Sequence, residues 1–362
     1  MKLIFLTDRL VLVGCSMVLW GVLVNNVNAE SSVTLYGVVD GGLLYTSKSL
    51  SAVTGKNGGA QWSFIDSGLS VSQFGLTGTE TLGGGVTANF DLESGYSVAS
   101  GGYNDSNGNM FGRQAWLSLR GAWGEVKTGL QYSPFFLTIY ESDARGYSQF
   151  GSSLVVYATN ALATGIFNAN AISYSSPTIA GLRGSVMIAF GGEPGNFQAG
   201  RQYSASVDYQ VGPLLLNAAV YDGNSGGTAA TPIPTTLEFV GRTIGVTYKF
   251  DKLTAKASYV KYKVSGSFDD DVYSFGLDFL ATPQVDLNGG IWVTSDRNRM
   301  ENRSMIAAAG VQYFMSKATT MYAQFGVTNN HGAMDTGLSI NGALHAPHGA
   351  TFGADIGIRH SF

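Results

Sequence analysis

The stretch that decides the fold alternates apolar and polar residues without a break: Val86-Thr87-Ala88-Asn89-Phe90-Asp91-Leu92-Glu93. Because successive side chains of a β-strand point to opposite faces, such a stretch has one apolar face and one polar face. The same period recurs in residues 203–209, 253–259 and 273–279, where Tyr or Phe lies at one or both ends of the apolar face. The pattern indicates strands that separate an apolar environment from a polar one.

Two architectures expose strands to such different environments. In a soluble β-sandwich the apolar face packs on a second sheet, whereas in a membrane barrel it meets lipid and carries aromatic residues at both interfaces. The aromatic ends favour the barrel, and an array of soluble sandwiches is the alternative. We therefore predict an all-β chain that forms a transmembrane antiparallel β-barrel of about 16 strands, with a lumen too wide for side chains to fill.

The composition agrees with a strand-based membrane protein. Charged residues make up 13% of the 362 residues and aromatic residues 12%, and there are 49 Gly against 8 Pro. Beyond the first thirty residues no run of about 18 apolar residues occurs, which excludes membrane-spanning helices. The formal net charge is -4; removing a leader with Lys2, Arg9 and Asp8 (net +1) leaves -5. This balance excludes a nucleic-acid partner.

The first segment has the pattern of a signal peptide. Lys2 and Arg9 precede an apolar stretch over residues 10–24, and small residues precede a cleavage point after Ala29. We predict a signal peptide over residues 1–29 and one barrel domain over residues 30–362. The single cysteine, Cys15, lies in the leader, so no disulfide is expected. A lipoprotein processing site at Cys15 is the alternative, but it would leave the apolar residues 16–24 on the mature chain.

The links between the strands fall into two classes. Short links such as residues 212–213 and 251–252 alternate with longer polar ones such as residues 223–236 and 329–349. This alternation is typical of barrels with periplasmic turns and external loops. Residues 134–167 form a long link that is rich in Phe, Leu, Val and Tyr, and a solvent-exposed loop is rarely so apolar. We predict a constriction loop folded into the lumen.

Several motifs, in order along the mature chain, resemble those of Gram-negative general (non-specific) porins of the β-proteobacterial type. Residues 32–40, residues 74–83 and Phe111-Gly112-Arg113-Gln114-Ala115-Trp116 are similar to the first strands of that family. Residues 313–322 resemble its penultimate hairpin, and Gly357-Ile358-Arg359-His360-Ser361-Phe362 resembles its closing strand. The resemblance implies a homotrimer in the outer membrane, with each barrel narrowed by its third external loop.

The resemblance also implies arginines on the pore wall facing carboxylates on that loop. Arg113 matches one wall arginine, but Gln73 and Phe167 stand where two others are expected. We therefore expect weak ion selectivity or a preference for cations. The candidate constriction residues are Arg113, Glu141, Asp143, Gln73, Phe167 and Arg145, the last as a side chain that could compensate for the missing arginines.

The last strand provides a candidate assembly signal. Alternate residues from Phe352 to Phe362 share one face, which gives an edge strand that can be added to a growing sheet. In the family an aromatic C-terminus addresses the chain to the outer-membrane assembly machinery, so Phe362 is the candidate signal. The other partners implied are outer-membrane lipid, lipopolysaccharide, small polar solutes and ions.

The functional prediction is an outer-membrane channel for passive diffusion, without a cofactor and without enzymatic activity. A structural or adhesive barrel with a plugged lumen is the alternative. His331, His345 and His348 lie in a Gly-rich link without Cys, and we interpret them as solvated loop residues and not as metal ligands. Residues 269–271 are three aspartates that lack the spacing of a calcium loop. The sequence marks no Ser with a His base beside it, the pair that a hydrolase would need.

Overall fold

The computed structural model describes residues 31–160, 165–224 and 236–362. The predicted signal peptide over residues 1–29 lies outside the described residues. So do residues 225–235 of one predicted external link and residues 161–164 of the predicted constriction loop. The two helices in the described ranges are both too short to cross a bilayer.

Strands account for most of the described chain. They are β1 (Ser31–Thr46), β2 (Gln61–Asp66), β3 (Gln73–Gly83), β4 (Val86–Gly95), β5 (Gln114–Gly121), β6 (Gly124–Tyr132), β7 (Phe167–Ser175), β8 (Leu182–Ala189), β9 (Gln202–Val211), β10 (Leu214–Asn224), β11 (Glu238–Phe250), β12 (Leu253–Val264), β13 (Asp269–Thr282), β14 (Val285–Asp296), β15 (Arg303–Phe314), β16 (Thr319–His331), β17 (Thr336–Ser339), β18 (Ala343–His345) and β19 (Gly349–Ser361). The helices are α1 (Pro134–Ser142) and α2 (Ser153–Asn160).

The main sheet is antiparallel and closes on itself. β1 pairs with β19 along one edge and with β2 and β3 along the other. The sheet contains seventeen strands, of which β2 and β3 share one position, so the described strands form a barrel of sixteen positions. β17 and β18 form a separate hairpin. The predicted barrel is confirmed.

The alternating stretches have the two faces expected of them. On β13 the side chains of Tyr273, Phe275, Leu277 and Phe279 are exposed on the outside, while Ser274, Gly276 and Asp278 alternate with them on the inner face and are less exposed. The apolar outer face suits lipid, and the polar inner face suits a water-filled lumen. The end of the barrel with short links includes Gly83, Gly84 and Gly85, which have φ values of 86°, 60° and 77°. Such left-handed conformations favour glycine, and the tight turn from β3 to β4 depends on them.

The long link between β6 and β7 folds inward. Its first helix starts where Ser133 accepts a hydrogen bond from the backbone N of Phe136 at 3.1 Å and Pro134 occupies the first helical turn. The side chains of Phe135 and Ile139 are fully buried inside the barrel. A loop in the lumen was predicted from composition, and the structure confirms it.

Glycines on the inner wall make room for this loop. A Cβ atom added to Gly241 on β11 would lie 2.5 Å from the ring of Phe135. One added to Gly245 would lie 2.8 Å from the Cβ of Ser142, and one at Gly326 on β16 would lie 3.0 Å from the ring of Phe150. The loop therefore packs directly against the backbone of the wall from β11 to β16, because larger residues there would displace it.

Candidate functional site

The loop leaves open space on its other side, toward the wall that runs from β19 and β1 to β9. A cavity of about 350 Å³ lies there between the wall and the loop. From the wall it is lined by Gln73, Glu93, Arg113, Tyr132 and Arg359, and from the loop by residues that include Leu137, Tyr140 and Tyr147. Leu137 and Tyr140 remain 45% and 49% exposed, so the loop presents apolar and aromatic surface to this cavity.

Glu93 contacts several of the wall residues that line this cavity. Its Oε1 lies 2.8 Å from Nε of Arg113, and the two side chains are only 8% and 11% exposed. Its Oε2 accepts hydrogen bonds from Nε2 of Gln73 at 2.6 Å and from the hydroxyl of Tyr36 at 3.0 Å. The carboxylate is therefore fully engaged by the wall, and its negative charge is compensated by Arg113.

The guanidinium of Arg113 is held in a fixed orientation. It donates to the hydroxyl of Tyr132 at 2.7 Å and to the backbone carbonyl of Asp105 at 3.0 Å. Its Cζ lies 5.9 Å from the ring centroids of both Tyr132 and Phe167, within the range of cation–π interactions. These contacts engage all three nitrogens of the guanidinium and hold it against the wall.

A second cavity of about 280 Å³ adjoins the first one and shares Tyr132, Leu137 and Tyr140 with it. It lies between α1 and the strands β6 to β9. Its charged lining comprises Lys127 and Arg183 together with Glu125, Glu141 and Asp208. Because the two cavities adjoin along the loop, we call them together the passage.

The passage is balanced in charge. Its lining in the described residues comprises four carboxylates and four basic side chains: Glu93, Glu125, Glu141 and Asp208, and Arg113, Arg359, Lys127 and Arg183. Glu141 belongs to α1 and is exposed to the passage. Partial burial, and next the charge of Asp208, raise its pKa above the ordinary value, although the hydrogen bond with Asn217 and the charges of Arg183 and Lys256 oppose this rise.

Asp143 does not face Arg113, contrary to the sequence-based expectation. It is 1% exposed and turned into the loop. Its Oδ1 accepts from the backbone N and the hydroxyl of Ser153, at 3.0 and 2.8 Å, at the start of α2. Its Oδ2 accepts from the backbone N of Tyr147 at 2.8 Å and of Arg145 at 3.2 Å. Because four donors of its own loop surround it, Asp143 organises the loop and does not line the passage.

Arg145 also differs from expectation, since its side chain extends from the loop to the wall at β14 and β16 and does not compensate for the missing arginines. It donates to Asn288 Oδ1 at 2.9 Å and to the carbonyls of Phe150 and Gly151 at 2.6 and 2.9 Å, and it also contacts Gln324. Burial lowers the pKa of Arg145 to about 10, so it stays charged at neutral pH. It thus ties the loop to β14 and β16.

The structure therefore divides the predicted site residues into three groups. Gln73, Arg113 and Phe167 meet at one point of the wall, Glu141 lines the adjoining cavity, and Asp143 and Arg145 belong to the loop and its anchor. Sequence reasoning missed Glu93 as the partner of Arg113, although Glu93 ends the polar face of the alternating stretch. No sequence signal distinguished Tyr132.

Phe362 lies at the seam of the barrel. Its backbone N donates to the carbonyl of Gly37 at 3.0 Å, and the N of Gly37 donates to its carbonyl at the same distance. Its side chain is 54% exposed on the outer face. Phe352, Ile356 and Ile358 share that face and are exposed to a similar degree. Phe362 therefore completes the pairing of the last strand with β1.

The other sequence motifs have ordinary partners. The rings of His331 and His348 meet edge to face at 5.7 Å, and His345 Nδ1 lies 3.0 Å from Asp335 Oδ2. In the aspartate run, Asp269 and Asp271 both pair with Lys261 on the neighbouring strand.

Comparison with known proteins agrees with this geometry. The profile of a family described as Gram-negative porin matches residues 25–333. Outer membrane porin protein 32 of Delftia acidovorans is 29% identical over 352 residues, which cover 92% of this chain and 95% of that protein. The solved anion-selective porin from Comamonas acidovorans superimposes with a TM-score of 0.78 at 26% identity, covering 92% of this chain and 100% of that one. This chain thus belongs to the Gram-negative porin family and is an outer-membrane channel for the passive diffusion of small polar solutes and ions.

Proposed function

We propose that solutes cross the barrel through the passage between the constriction loop and the wall that runs from β19 and β1 to β9. The loop itself carries this proposal, because it packs on the wall of β11–β16 and leaves cavities of about 350 and 280 Å³ on its other side. A smaller cavity of about 210 Å³ lies between the loop and β13–β15 and shares Arg359 with the first one. In this proposal Arg113, Gln73 and Phe167 shape the wall side and Glu141 the loop side. Asp143 and Arg145 act indirectly, since they hold the loop in place.

We further propose that this channel has weak ion selectivity. The lining has equal numbers of acidic and basic side chains, and Glu93 and Arg113 neutralise each other at 2.8 Å. A fixed unit charge about 4 Å from an ion is worth about 4 kcal/mol at an effective dielectric constant of 20, so an unbalanced charge would be felt. The Comamonas relative is named as anion-selective. This chain has Gln73 and Phe167 where the resemblance expects arginines, which supports a smaller preference for anions here.

Planar-bilayer recording tests the passage. Replacing residues 135–165 by a short Gly-Ser linker should raise the single-channel conductance, because the obstruction in the lumen is removed. A deletion of residues 192–197, in an external link away from the loop, is the matched control and should leave the conductance near that of the unaltered protein. Equal conductance of a folded loop-replacement variant and the unaltered protein would place the narrowest point elsewhere.

We also propose the finer features of assembly: removal of a signal peptide near Ala29 and a homotrimeric state in contact with lipopolysaccharide. The exposed apolar face of Val33, Leu35, Phe352 and Ile356 on β1 and β19 supports a covering by lipid or by a neighbouring barrel. N-terminal sequencing and native mass spectrometry of protein extracted from the outer membrane would test both. A mature chain that retains Cys15, or a monomer in mild detergent, would contradict the proposal.

A further inference from the structure

The cavity between α1 and β6–β9 contains two opposite charges that are not joined in an ion pair. Arg183 on β8 and Asp208 on β9 are partners in the register of the sheet, and both side chains line this cavity. Side chains directly opposite each other on one face start only about 5 Å apart at Cβ, so an ion pair between them would be expected. In the described part of the chain, however, neither side chain makes an ion pair within 4.0 Å or a hydrogen bond.

One oxygen of the Asp208 carboxylate has no partner although that atom is screened from solvent. Its Oδ1 is buried and accepts no hydrogen bond from the described residues. A buried polar atom without a partner is unfavourable, and a bound group that donates a hydrogen bond would relieve the cost. Glu141 on α1 lines the same cavity and adds a second negative charge, and the charge of Asp208 acts on it.

The basic side chains of the cavity likewise make no ion pair with a carboxylate of the described residues. Arg183 has no carboxylate within ion-pair distance in the described ranges, and Lys127 is engaged by the ring face of Trp116 at 4.0 Å and not by an acid. Arg183 can therefore offer its planar donor fork to a carboxylate in the passage. Four serine hydroxyls complete the polar lining: Ser173, Ser175, Ser185 and Ser206.

We propose that this cavity is a transient binding site for small zwitterions, with the solute's carboxylate at Arg183 and its ammonium group at Asp208 and Glu141. The inference rests on the proposed passage beside the loop and specifies its solute class. A simple anion or cation meets one attractive and one repulsive group here, whereas a zwitterion is attracted at both ends. The volume of about 280 Å³ accommodates a solute of amino-acid size. Weak, reversible occupancy raises the local concentration at the narrowest part and thus the flux.

The test uses β-alanine, a zwitterion, and lactamide, its uncharged isomer, in swelling assays on liposomes that contain the full-length protein. We expect the unaltered channel to pass β-alanine at least twofold faster than lactamide. In Arg183→Gln and in Asp208→Asn the ratio of the two rates should fall toward one. Glu193→Gln and Arg299→Gln, both at exposed positions in external links, are the matched controls and should keep the original ratio.

The outcomes separate this inference from the proposed function. If lactamide does not enter the liposomes, the proposed passage itself is wrong. If lactamide enters but the ratio is near one in the unaltered channel, the passage stands and the zwitterion site is overturned. If Arg183→Gln lowers the ratio but Asp208→Asn does not, the cavity attracts carboxylates alone, which also overturns the dipolar site.

Discussion

Arg113 Nε and Glu93 Oε1 lie 2.8 Å apart on the pore wall, so the arginine that the family resemblance assigned to the constriction is neutralised by a residue of the wall itself, on β4. We predict that Glu93→Gln makes the channel prefer anions, because it leaves the charge of Arg113 uncompensated. Arg113→Gln should make it prefer cations for the converse reason. The zero-current potential in a KCl gradient measures both shifts, and each permeability ratio should change severalfold.

The double variant is the control for this pair. With Glu93→Gln and Arg113→Gln combined, the two charges disappear together and the zero-current potential should return close to its original value. Gln73→Arg should shift the zero-current potential in the same direction as Glu93→Gln. Gln73 contacts Glu93 at 2.6 Å, so an arginine there would give two positive charges beside the single negative charge of Glu93. A low salt concentration is needed, because the screening length is about 10 Å at 0.1 M. Strong anion preference of the unaltered channel would contradict the prediction that Glu93 neutralises Arg113.

The second prediction concerns pH. The pKa of Glu141 is raised by burial and by Asp208, so Glu141 takes up a proton at a higher pH than an ordinary glutamate does. Protonation removes a negative charge from the passage, and selectivity should therefore shift toward anions as the pH falls through mildly acidic values. Glu141→Gln should show this shift already at neutral pH and should lose that part of the pH dependence.

Glu193→Gln is the control for the pH experiment, because Glu193 is exposed in an external link and away from the lining. Its zero-current potential should follow that of the unaltered channel at every pH. A Glu141→Gln variant with an unchanged pH profile would show that another carboxylate of the passage is responsible.

The barrel and its loop were predictable because their causes are local in the sequence. An alternating strand such as β4 or β13 shows its two environments directly, since each side chain faces either lipid or water. The apolar composition of residues 134–167 likewise indicated burial, and in the structure Phe135 and Ile139 are indeed covered by the wall.

The distribution of charge in the site was not predictable in the same way. Whether Asp143 faces the pore depends on the positions of Ser153 and Tyr147 in the folded loop, and the sequence gives no spacing rule for them. Arg145 finds its partners Asn288 and Gln324 on distant strands. A resemblance can identify such residues as members of a loop, but only the tertiary contacts determine which charges remain available to a solute.

The third prediction concerns Phe362. Replacing it by Ala should lower the yield of assembled, heat-modifiable protein severalfold, because the ring covers the seam between the last strand and Gly37 of β1. Phe362→Tyr keeps an aromatic ring and is the conservative control, with a yield near normal. The conductance of the Phe362→Ala molecules that do assemble should be unchanged, since the side chain faces outward. A normal yield from Phe362→Ala would refute the role of Phe362 in assembly.

The last prediction tests Arg145 as the anchor of the constriction loop. Arg145→Met fills a similar volume but leaves the carbonyls of Phe150 and Gly151 and the side chain of Asn288 without their donor. Hydrogen bonds to charged groups contribute about 1.5–3 kcal/mol each, and the removed cost of burying the charge offsets part of this, so we expect the loop to lose about 2–3 kcal/mol of local stability. The barrel itself should persist, because its strand ladders do not involve Arg145.

Amide hydrogen exchange measures this local loss directly. The backbone N of Gly151 donates to the carbonyl of Leu338 at 2.7 Å and should be protected in the unaltered protein. In Arg145→Met its exchange should be roughly 30- to 150-fold faster, the factor that corresponds to the expected loss, while amides of β14 and β16 keep their rates. Arg299→Met, at an exposed position, is the control and should leave Gly151 protected. Single-channel records of Arg145→Met should also be noisier, since a loosened loop moves within the passage. Unchanged exchange at Gly151 together with a quiet current would show that glycine-lined packing on the wall alone holds the loop.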